Sequence, residues 1–330
     1  MTILVTGGAG YIGSHVVWDL VDSGEKVVVV DNLSTGFRWA LPPEAELVTG
    51  DVGDGPLLAE IVRSRDIDAI IHFAGSVIVP ESVAQPLRYY LNNTVKSRTL
   101  IETAVETGVK NFVFSSTATV YALNVPTPII EEAPKAPPSP YGWSKRMTEV
   151  MLADTAVAYD FDYVALRYFN VAGADPKGRT GQSTRGATHL IKVAAEAALG
   201  KRKGVEVFGT DYPTPDGTGV RDYIHVTDLS HAHLAALTYL RKGGDSIVAN
   251  CSYGHGYSVL EVLDSVSRVS GKTLNVTMAD RRPGDPPTLV GDPGLIRRTF
   301  DWTPQHDDLD FIIRTALDWE EALTHRNQRE

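Results

Sequence analysis

The sequence of 330 residues contains a single cysteine, Cys251. One cysteine cannot form a disulfide within the chain, so the fold needs no oxidising compartment. Basic residues are also few, because 31 Lys and Arg stand against 41 Asp and Glu, which gives a formal net charge of −10. This balance argues against a general nucleic-acid binder, which carries a basic excess, and against docking on an acidic membrane surface.

Long hydrophobic runs are missing as well. The apolar stretch from Met1 to Val5 is interrupted by glycines directly afterwards, and a signal peptide needs roughly 7–15 apolar residues without a break. No segment reaches the roughly 20 apolar residues of a membrane span. We therefore expect a cytoplasmic protein without nucleic-acid or membrane partners. The length suggests about two domains.

Short apolar runs alternate with helical patterns in the first half of the chain. The β-branched run from Lys26 to Val30 is typical of a strand buried on both faces, and Asn111 to Ser115 is a similar strand prediction. This alternation predicts an α/β fold with a doubly wound parallel sheet. After Asn170 the pattern loosens, which predicts a smaller, mixed α/β region. We therefore predict domains over residues 1–170 and 171–330, with residues 222–249 packing back on the first.

A glycine turn, Thr6 to Gly13, lies between the first strand and the first helix. Glycine at positions 7, 10 and 13 allows a tight turn and lets a pyrophosphate approach the backbone at the helix N-terminus. Asp31 ends the second strand, where a carboxylate accepts hydrogen bonds from a ribose and repels a 2′-phosphate. The pattern favours NAD over NADP. The alternative is a structural loop with a capping aspartate.

A second group of polar residues predicts acid–base chemistry. Tyr141 and Lys145 are four residues apart at the start of a helix and therefore share one face. A neighbouring ammonium and a nicotinamide cation would lower the tyrosine pKa from its usual value near 10, which makes a general base or acid. Thr117 follows a strand, where its hydroxyl could contact a reacting oxygen. The alternatives are a solvated helix face and an ordinary Ser/Thr-rich turn.

Together these motifs resemble the extended short-chain dehydrogenase/reductase family over essentially the whole chain. Further runs, such as Tyr89 to Asn93, Arg167 to Ala174 and Phe208 to Val226, are similar to those of its nucleotide-sugar 4-epimerases. The resemblance implies a Rossmann-type NAD-binding domain and a smaller mixed α/β domain for a UDP-sugar. It also implies an isomerase that interconverts UDP-glucose and UDP-galactose, by transient hydride transfer from sugar C4 to bound NAD and return to the opposite face.

The resemblance also assigns individual residues. It implies Tyr141 as catalytic base, Lys145 as its partner and ribose ligand, and Thr117 as the hydroxyl that contacts the sugar O4. The residues implied in NAD binding are Gly7, Gly10, Tyr11, Ile12, Gly13, Asp31, Asn32, Leu33, Asp51, Val52, Phe73, Ala74, Gly75, Asn92, Ser115, Tyr141, Lys145 and Tyr168. Those implied in substrate binding are Thr117, Tyr141, Phe169, Asn170, His189, Leu190, Val207, Phe208, Arg221, Arg282, Asp285 and Leu289. No metal site is expected.

The sequence departs from the family pattern at several positions. Ser76-Val77 stand where a lysine often touches the cofactor, His189 replaces a frequent asparagine, and Ala122 replaces a usual glycine. Leu289 stands where a tyrosine or a smaller residue can line the sugar pocket. These departures leave open how tightly NAD is retained and whether an N-acetyl sugar fits.

Other functions stay open beside the leading one. The same machinery serves 4-epimerases of UDP-N-acetylglucosamine, UDP-glucuronate and UDP-xylose or UDP-arabinose. A 4,6-dehydratase is disfavoured, because Ala118-Thr119 follow Thr117 where dehydratases carry an Asp-Glu pair. A non-catalytic NAD sensor is disfavoured by the intact Tyr141, Lys145 and Thr117. The resemblance further implies a homodimer formed through helices near Val95 to Thr107 and Tyr141 to Tyr159.

Overall fold

The computed structural model describes residues 1–282 and 284–326. Its strands, in chain order, are β1 (Thr2–Thr6), β2 (Lys26–Asp31), β3 (Glu46–Thr49), β4 (Ile67–His72), β5 (Asn111–Ser115), β6 (Asp162–Tyr168), β7 (Asn170–Ala172), β8 (Val205–Phe208), β9 (Val220–Arg221), β10 (Tyr223–His225), β11 (Ile247–Cys251), β12 (Tyr257–Ser258), β13 (Val276–Ala279) and β14 (Thr288–Leu289).

The α-helices, in chain order, are α1 (Tyr11–Asp22), α2 (Gly55–Ser64), α3 (Val79–Ala84), α4 (Pro86–Tyr89), α5 (Lys96–Thr107), α6 (Pro140–Ala158), α7 (Leu190–Ala198), α8 (Val226–Arg241), α9 (Val259–Ser270), α10 (Gly294–Thr299) and α11 (Leu309–Arg326). Short 3-10 turns span Arg38–Ala40 and Ala118–Val120, and a π-helical stretch, Tyr90–Val95, leads directly into α5.

Seven strands form one parallel sheet in the order β11-β6-β5-β4-β1-β2-β3. The chain builds β1, β2 and β3 outward in one direction, returns to place β4 beside β1, and continues outward through β5 and β6. The direction therefore reverses between β1 and β4, which is the point where doubly wound sheets bind ligands. The predicted doubly wound α/β fold is confirmed.

The β-branched run in β2 shows why this sheet forms. Val27 and Val29 face a hydrophobic core that includes α1 and α8, while Val28 and Val30 face a second core that includes α2 and α5. Because both faces of the sheet are covered by helices, all four central positions of the strand are apolar. The same reason explains the lack of alternation that the sequence shows in this strand.

Residues from the second half of the chain also belong to this sheet. Helix α8 packs against β5 and β6, and β11 pairs with β6 at one edge. The remaining strands form small sheets, in which β10 pairs with β7, β9 lies between β12 and β14, and β13 pairs with β8. The division into two domains at residue 170 stays a prediction. Within the described residues, no helix combines the length and apolarity required to cross a bilayer.

We predict that the centre of the sheet carries much of the stability. Phe112 on β5 is fully buried, so Phe112→Ala should lower the free energy of unfolding by about 3–5 kcal/mol through lost contacts and a cavity. Met278 is 54% exposed, so Met278→Ala should change it by no more than about 0.5 kcal/mol. Urea denaturation measures both values, and equal losses would contradict the assignment of the core.

Candidate active site

The glycine turn after β1 lies at the point where the sheet reverses direction. Gly7 has a φ of +71°, and a Cβ on this residue would lie 2.5 Å from the backbone nitrogen of Ala74, which follows β4. A Cβ on Gly13 would overlap the carbonyl oxygen of Gly7. Side chains are therefore excluded here. The first residues of α1 line the cavity beside the turn, and the first N–H groups of a helix have no partner within that helix. This is the arrangement that binds a pyrophosphate.

Asp31 joins the end of β2 to this turn. Its two carboxylate oxygens accept hydrogen bonds from the backbone N–H groups of Ala9 (3.0 Å) and Leu33 (2.8 Å). Burial raises the pKa of Asp31, while these two hydrogen bonds act to lower it. Each oxygen keeps a further lone pair, and the residue lines the cavity. The carboxylate is therefore fixed where it can accept hydroxyl groups from a ribose.

The strand ends on either side complete this half of the cavity. The Asp51 carboxylate forms a 2.6 Å ion pair with Lys96 at the start of α5. Phe73, Ala74 and Gly75 follow β4, and small residues there leave room above the strand ends. The amide of Asn92 donates to the hydroxyl of Ser76 over 2.9 Å, so Asn92 orients the segment that replaces the family's lysine.

Helix α6 brings Tyr141 to the other side of the same cavity. Ser139 caps the helix by accepting a hydrogen bond from the N–H of Gly142 (3.3 Å), and Pro140 occupies its first turn. Tyr141 is only 6% exposed. Burial raises the pKa of Tyr141 well above its usual value, and the side chain of Thr117 opposes this rise. The protein alone therefore does not produce the lowered pKa that the sequence pattern led us to expect.

Lys145 lies one turn further along α6 and is almost completely buried. Its ammonium donates to the backbone carbonyl of Ser115 (3.0 Å) and lies 4.8 Å from the ring centroid of Phe114. Burial lowers the pKa of Lys145 to about 8, and the charge of Glu149 acts to raise it. Its charge at neutral pH thus depends on its surroundings.

Thr117 faces this pair from the end of β5. Its hydroxyl accepts a hydrogen bond from the N–H of Thr119 over 3.2 Å, which fixes the start of the 3-10 turn. The hydroxyl of Ser115 lies 3.0 Å from Nε2 of His233 on α8. Tyr168 lines the same cavity. Tyr141 and Thr117 thus line one part of the cavity, which we call the reactive end, and Lys145 is buried one turn along the same helix. These are residue types that general acid–base chemistry uses.

The second half of the chain supplies cationic groups further along the cavity. The guanidinium of Arg282 lies 3.7 Å from the ring centroid of Phe208, a cation–π contact. Arg221 on β9 forms a 3.4 Å ion pair with Asp285, and Leu289 on β14 pairs with Arg221. These groups place two cations and one planar ring where an anionic nucleotide could bind.

One cavity of about 2160 Å³ connects both halves. The sequence-predicted residues that line it are Gly7, Gly10, Tyr11, Ile12, Gly13, Asp31, Asn32, Asp51, Val52, Phe73, Ala74, Gly75, Asn92, Thr117, Tyr141, Tyr168, Phe169, Asn170, His189, Leu190, Phe208, Arg221, Arg282, Asp285 and Leu289. Four predicted residues are not among those that line it, namely Leu33, Ser115, Lys145 and Val207. Val207 is fully buried in the core, so contact with a ligand would need its backbone.

Sequence reasoning missed a buried polar network behind the reactive end. Glu149 on α6 and Arg167 on β6 are at most 2% exposed and form a bidentate ion pair, with both N···O distances at 2.8 Å. The hydroxyl of Ser116 donates to Glu149 (2.6 Å), and Arg167 donates to the hydroxyl of Tyr121 (3.0 Å). The available signal was weak: a glutamate one turn after Lys145, and an arginine inside an otherwise apolar strand.

The residues of the first half fit NAD. The glycine turn forms a cradle that any Cβ would fill, and Asp31 presents a fixed carboxylate beside it. The turn would hold the pyrophosphate and Asp31 the adenosine ribose. For a metal, by contrast, the described residues contain no group of three or more His, Cys, Asp or Glu that could bind one.

Comparison with known proteins defines the class. The sequence matches the model of the NAD dependent epimerase/dehydratase family over residues 3–252, so the chain belongs to this family. It is 55% identical over 321 residues to the UDP-glucose 4-epimerase of Azospirillum brasilense, covering 97% of this chain and 92% of that one. The relative from Lacticaseibacillus casei, also a UDP-glucose 4-epimerase, is 47% identical and covers 97% of both chains.

Solved structures agree with this assignment. The UDP-glucose 4-epimerase of Brucella ovis in complex with NAD has a TM-score of 0.93 at 44% identity, covering 96% of this chain and 97% of that one. The UDP-Glc/GlcNAc 4-epimerase of Campylobacter jejuni has a TM-score of 0.85 at 46% identity, covering 97% and 99%. The resemblance to nucleotide-sugar 4-epimerases and the NAD dependence expected from it are confirmed.

We predict that Gly13→Ala lowers the NAD content of the purified protein, because the new methyl group would overlap the carbonyl of Gly7 and open the turn. NAD released by heat denaturation measures this content. Gly55→Ala is the matched control, since its methyl group would meet only an ordinary 3.4 Å contact with Thr99. Equal NAD content in both variants would show that the turn does not hold the cofactor.

Proposed function

We propose that this chain catalyses the reversible 4-epimerisation of UDP-glucose and UDP-galactose with resident NAD. The observation that carries the proposal is the single cavity that joins the glycine turn and Asp31 to Tyr141 and Thr117, and these to Arg221 and Arg282. A cofactor and a nucleotide sugar can therefore meet at the tyrosine. The high identity to named UDP-glucose 4-epimerases supports the same substrate pair.

The acid–base work falls to Tyr141, Thr117 and Lys145. Bound NAD supplies a reversible hydride acceptor and a positive charge beside the tyrosine. A positive charge favours the phenolate of Tyr141, which then takes the proton of the sugar 4-hydroxyl and later returns it. Thr117 holds the sugar O4 by a hydrogen bond. Lys145, one turn further along α6, adds a second positive charge. Tyr141 and Thr117 thus act at one oxygen of the substrate, and Lys145 acts through its charge.

The second half of the chain anchors the nucleotide. Arg221 and Arg282 neutralise the diphosphate, the ring of Phe208 flanks the uracil and Asp285 accepts from the uridine ribose. Phe169, Asn170, His189, Leu190 and the backbone at Val207 complete the contacts. Holding the UDP firmly leaves the sugar free to present its opposite face, so remote binding energy positions the reacting carbon.

The residues that follow Thr117 favour epimerisation over dehydration. A 4,6-elimination needs groups that take a proton from C5 and give one at C6. Ala118 and Thr119 occupy the 3-10 turn after Thr117, and neither side chain exchanges protons near neutral pH. Inversion at C4 needs only Tyr141 as proton donor and acceptor.

The direct test is to incubate the purified protein with UDP-galactose, without added NAD, and to measure UDP-glucose. Conversion supports both the substrate pair and a retained cofactor; no conversion, even with NAD added, would refute the proposal. UDP-N-acetylglucosamine, offered in parallel, tests whether Leu289 leaves room for an acetyl group. The structural neighbour from Campylobacter jejuni is named for both UDP-Glc and GlcNAc.

We predict that Tyr141→Phe lowers kcat by about 10²–10⁴-fold, because it removes the group that moves the proton. The melting temperature should stay close to that of the unsubstituted protein, since the hydroxyl contributes little to the packing of the ring. Tyr159→Phe, on an exposed tyrosine just past α6, is the matched control and should keep full activity. A Tyr141→Phe protein with undiminished turnover would exclude Tyr141 as the base.

We also propose that the protein is a homodimer in the cytoplasm. Two neighbouring surface stripes are apolar. One runs along α6, which the sequence led us to expect, and the other runs along residues 83–95, directly before the expected helix Val95 to Thr107. Their members are Val83, Leu87, Leu91 and Val95, and Trp143, Met147, Val150 and Val157, all at least 40% exposed. Such adjacent helical stripes suit pairing with a second copy of themselves about a twofold axis. The buried, unpaired Cys251 suits a reducing compartment.

We predict that Leu87→Glu combined with Val150→Glu converts the dimer into a monomer, because two carboxylates would be buried at the contact. Light scattering after gel filtration should then give the 35.8 kDa of one chain in place of twice that mass. Met278→Glu, an exposed apolar residue on β13, should leave the mass unchanged. A monomeric unsubstituted protein would refute the proposal.

A further inference from the structure

The buried ion pair behind the reactive end has no role in the chemistry described above. The Glu149 carboxylate accepts four hydrogen bonds, two from Arg167, one from Ser116 and one from Arg146 (3.1 Å). Arg167 uses its remaining nitrogen for the hydroxyl of Tyr121 and the backbone carbonyl of Glu131 (3.1 Å). A buried ion pair gains little stability from charge attraction alone. The role of this ion pair therefore follows from where it lies and not from how much it stabilises the fold.

The contact with Ser116 links this pair to the reactive loop. Ser116 is fully buried and directly precedes Thr117. Its backbone N–H donates to the carbonyl of Leu166 on β6 (2.9 Å), and its hydroxyl donates to Glu149 on α6. The residue is thus tied to the sheet on one side and to the helix of Tyr141 on the other. This link therefore lies between Thr117 and the helix that carries Tyr141.

The charge of Glu149 also acts on Lys145, one turn earlier on α6. The groups around the Lys145 ammonium come from three elements. Strand β5 presents the carbonyl of Ser115 and the ring of Phe114, which do not titrate. Strand β4 presents His72, which burial and the Lys145 charge keep neutral, with a pKa of about 3. Glu149 is therefore the acidic group that favours the ammonium.

We propose that Glu149 is a positioning residue for the reaction: clamped by Arg167, it holds Ser116 and so fixes Thr117 beside Tyr141. Because Glu149 also lies one helical turn after Lys145, its negative charge favours the ammonium there. The role in turnover rests on the proposed function, whereas the effect on Lys145 does not. Arg167 also keeps Glu149 ionised. If the guanidinium were absent, burial would raise the pKa of the Glu149 carboxyl.

Two substitutions of Glu149 test the effect of its charge on Lys145. Glu149→Gln keeps the shape of the side chain and removes its charge, so the ammonium of Lys145 should lose its proton at lower pH than in the unsubstituted protein. Glu149→Asp keeps the charge, so the titration of Lys145 should stay close to its original midpoint. The measurement is the pH dependence of the Lys145 signal in NMR spectra of full-length protein labelled at the lysine ε-carbons, assigned with Lys145→Arg. This readout needs no turnover.

A folded Glu149→Gln protein whose Lys145 titrates at the original pH would overturn the electrostatic role. Ser116→Ala tests the link to Thr117 and leaves the ion pair intact, so it does not expose an unpaired charge. We expect its kcat for UDP-galactose to fall about tenfold or more, with unchanged KM and an unchanged Lys145 titration, because a small displacement of a reacting group is costly.

The matched control is Ser252→Ala, which removes a buried hydroxyl that bonds to none of the described residues. Its kcat should be unchanged, and a Ser116→Ala protein as active as this control would overturn the positioning role. If Glu149→Gln does not fold, Ser116→Ala still tests whether Glu149 positions Thr117 through Ser116. If the unsubstituted protein converts no UDP-galactose, the proposed function fails, and the Lys145 titration still tests Glu149.

Discussion

The constraint on which the rest of the site depends is the close contact between the turn after β1 and the end of β4. Only a residue without a side chain can occupy position 7, because the backbone of Ala74 lies where a Cβ would stand. The carboxylate of Asp31 then ties the same turn to β2 through the N–H of Ala9. Three strand ends thus meet at one point, and the hydroxyl of Tyr11 extends the contact to the carbonyl of Gly173 in the second half (2.7 Å). The two sides of the cavity are thus held together by one close backbone contact and by the side chains of Asp31 and Tyr11.

Burial determines the chemistry at the reactive end. The protein raises the pKa of Tyr141 and lowers that of Lys145, and burial is the main cause in both cases. A site that penalises both charged forms is sensitive to every charge brought near it, because Coulomb interactions are strong where water is excluded. Neighbouring charges therefore control the ionisation of these residues more than their intrinsic acidity does. The paired Glu149 and Arg167 supply such charges from fixed positions.

Local pattern was sufficient for much of the fold and for part of the site. The β-branched run of β2, the glycines of the turn and the proline before Tyr141 each act within a few residues, so their consequences could be predicted from sequence. Contacts between residues far apart in the chain could not be predicted in this way. Glu149 looks like an ordinary charged residue on a helix until β6 places Arg167 opposite it, and Lys145 looks like a cavity residue until its ammonium is found on the carbonyl of Ser115. The direction of the Tyr141 pKa depends on burial, which no local pattern contains.

The net charge of a protein and the charge of its ligand need not be opposite in sign. The chain carries −10, yet both ligands of the proposed reaction are diphosphates. In salt at physiological strength, charges further apart than about 8 Å are largely screened from one another, so the acidic surface contributes little inside the cavity. What a diphosphate meets there is local: the N–H groups at the start of α1 on one side, and Arg221 and Arg282 on the other. The acidic balance therefore excludes polyanions, which need an extended basic surface, without excluding small anions that bind within an enclosed site.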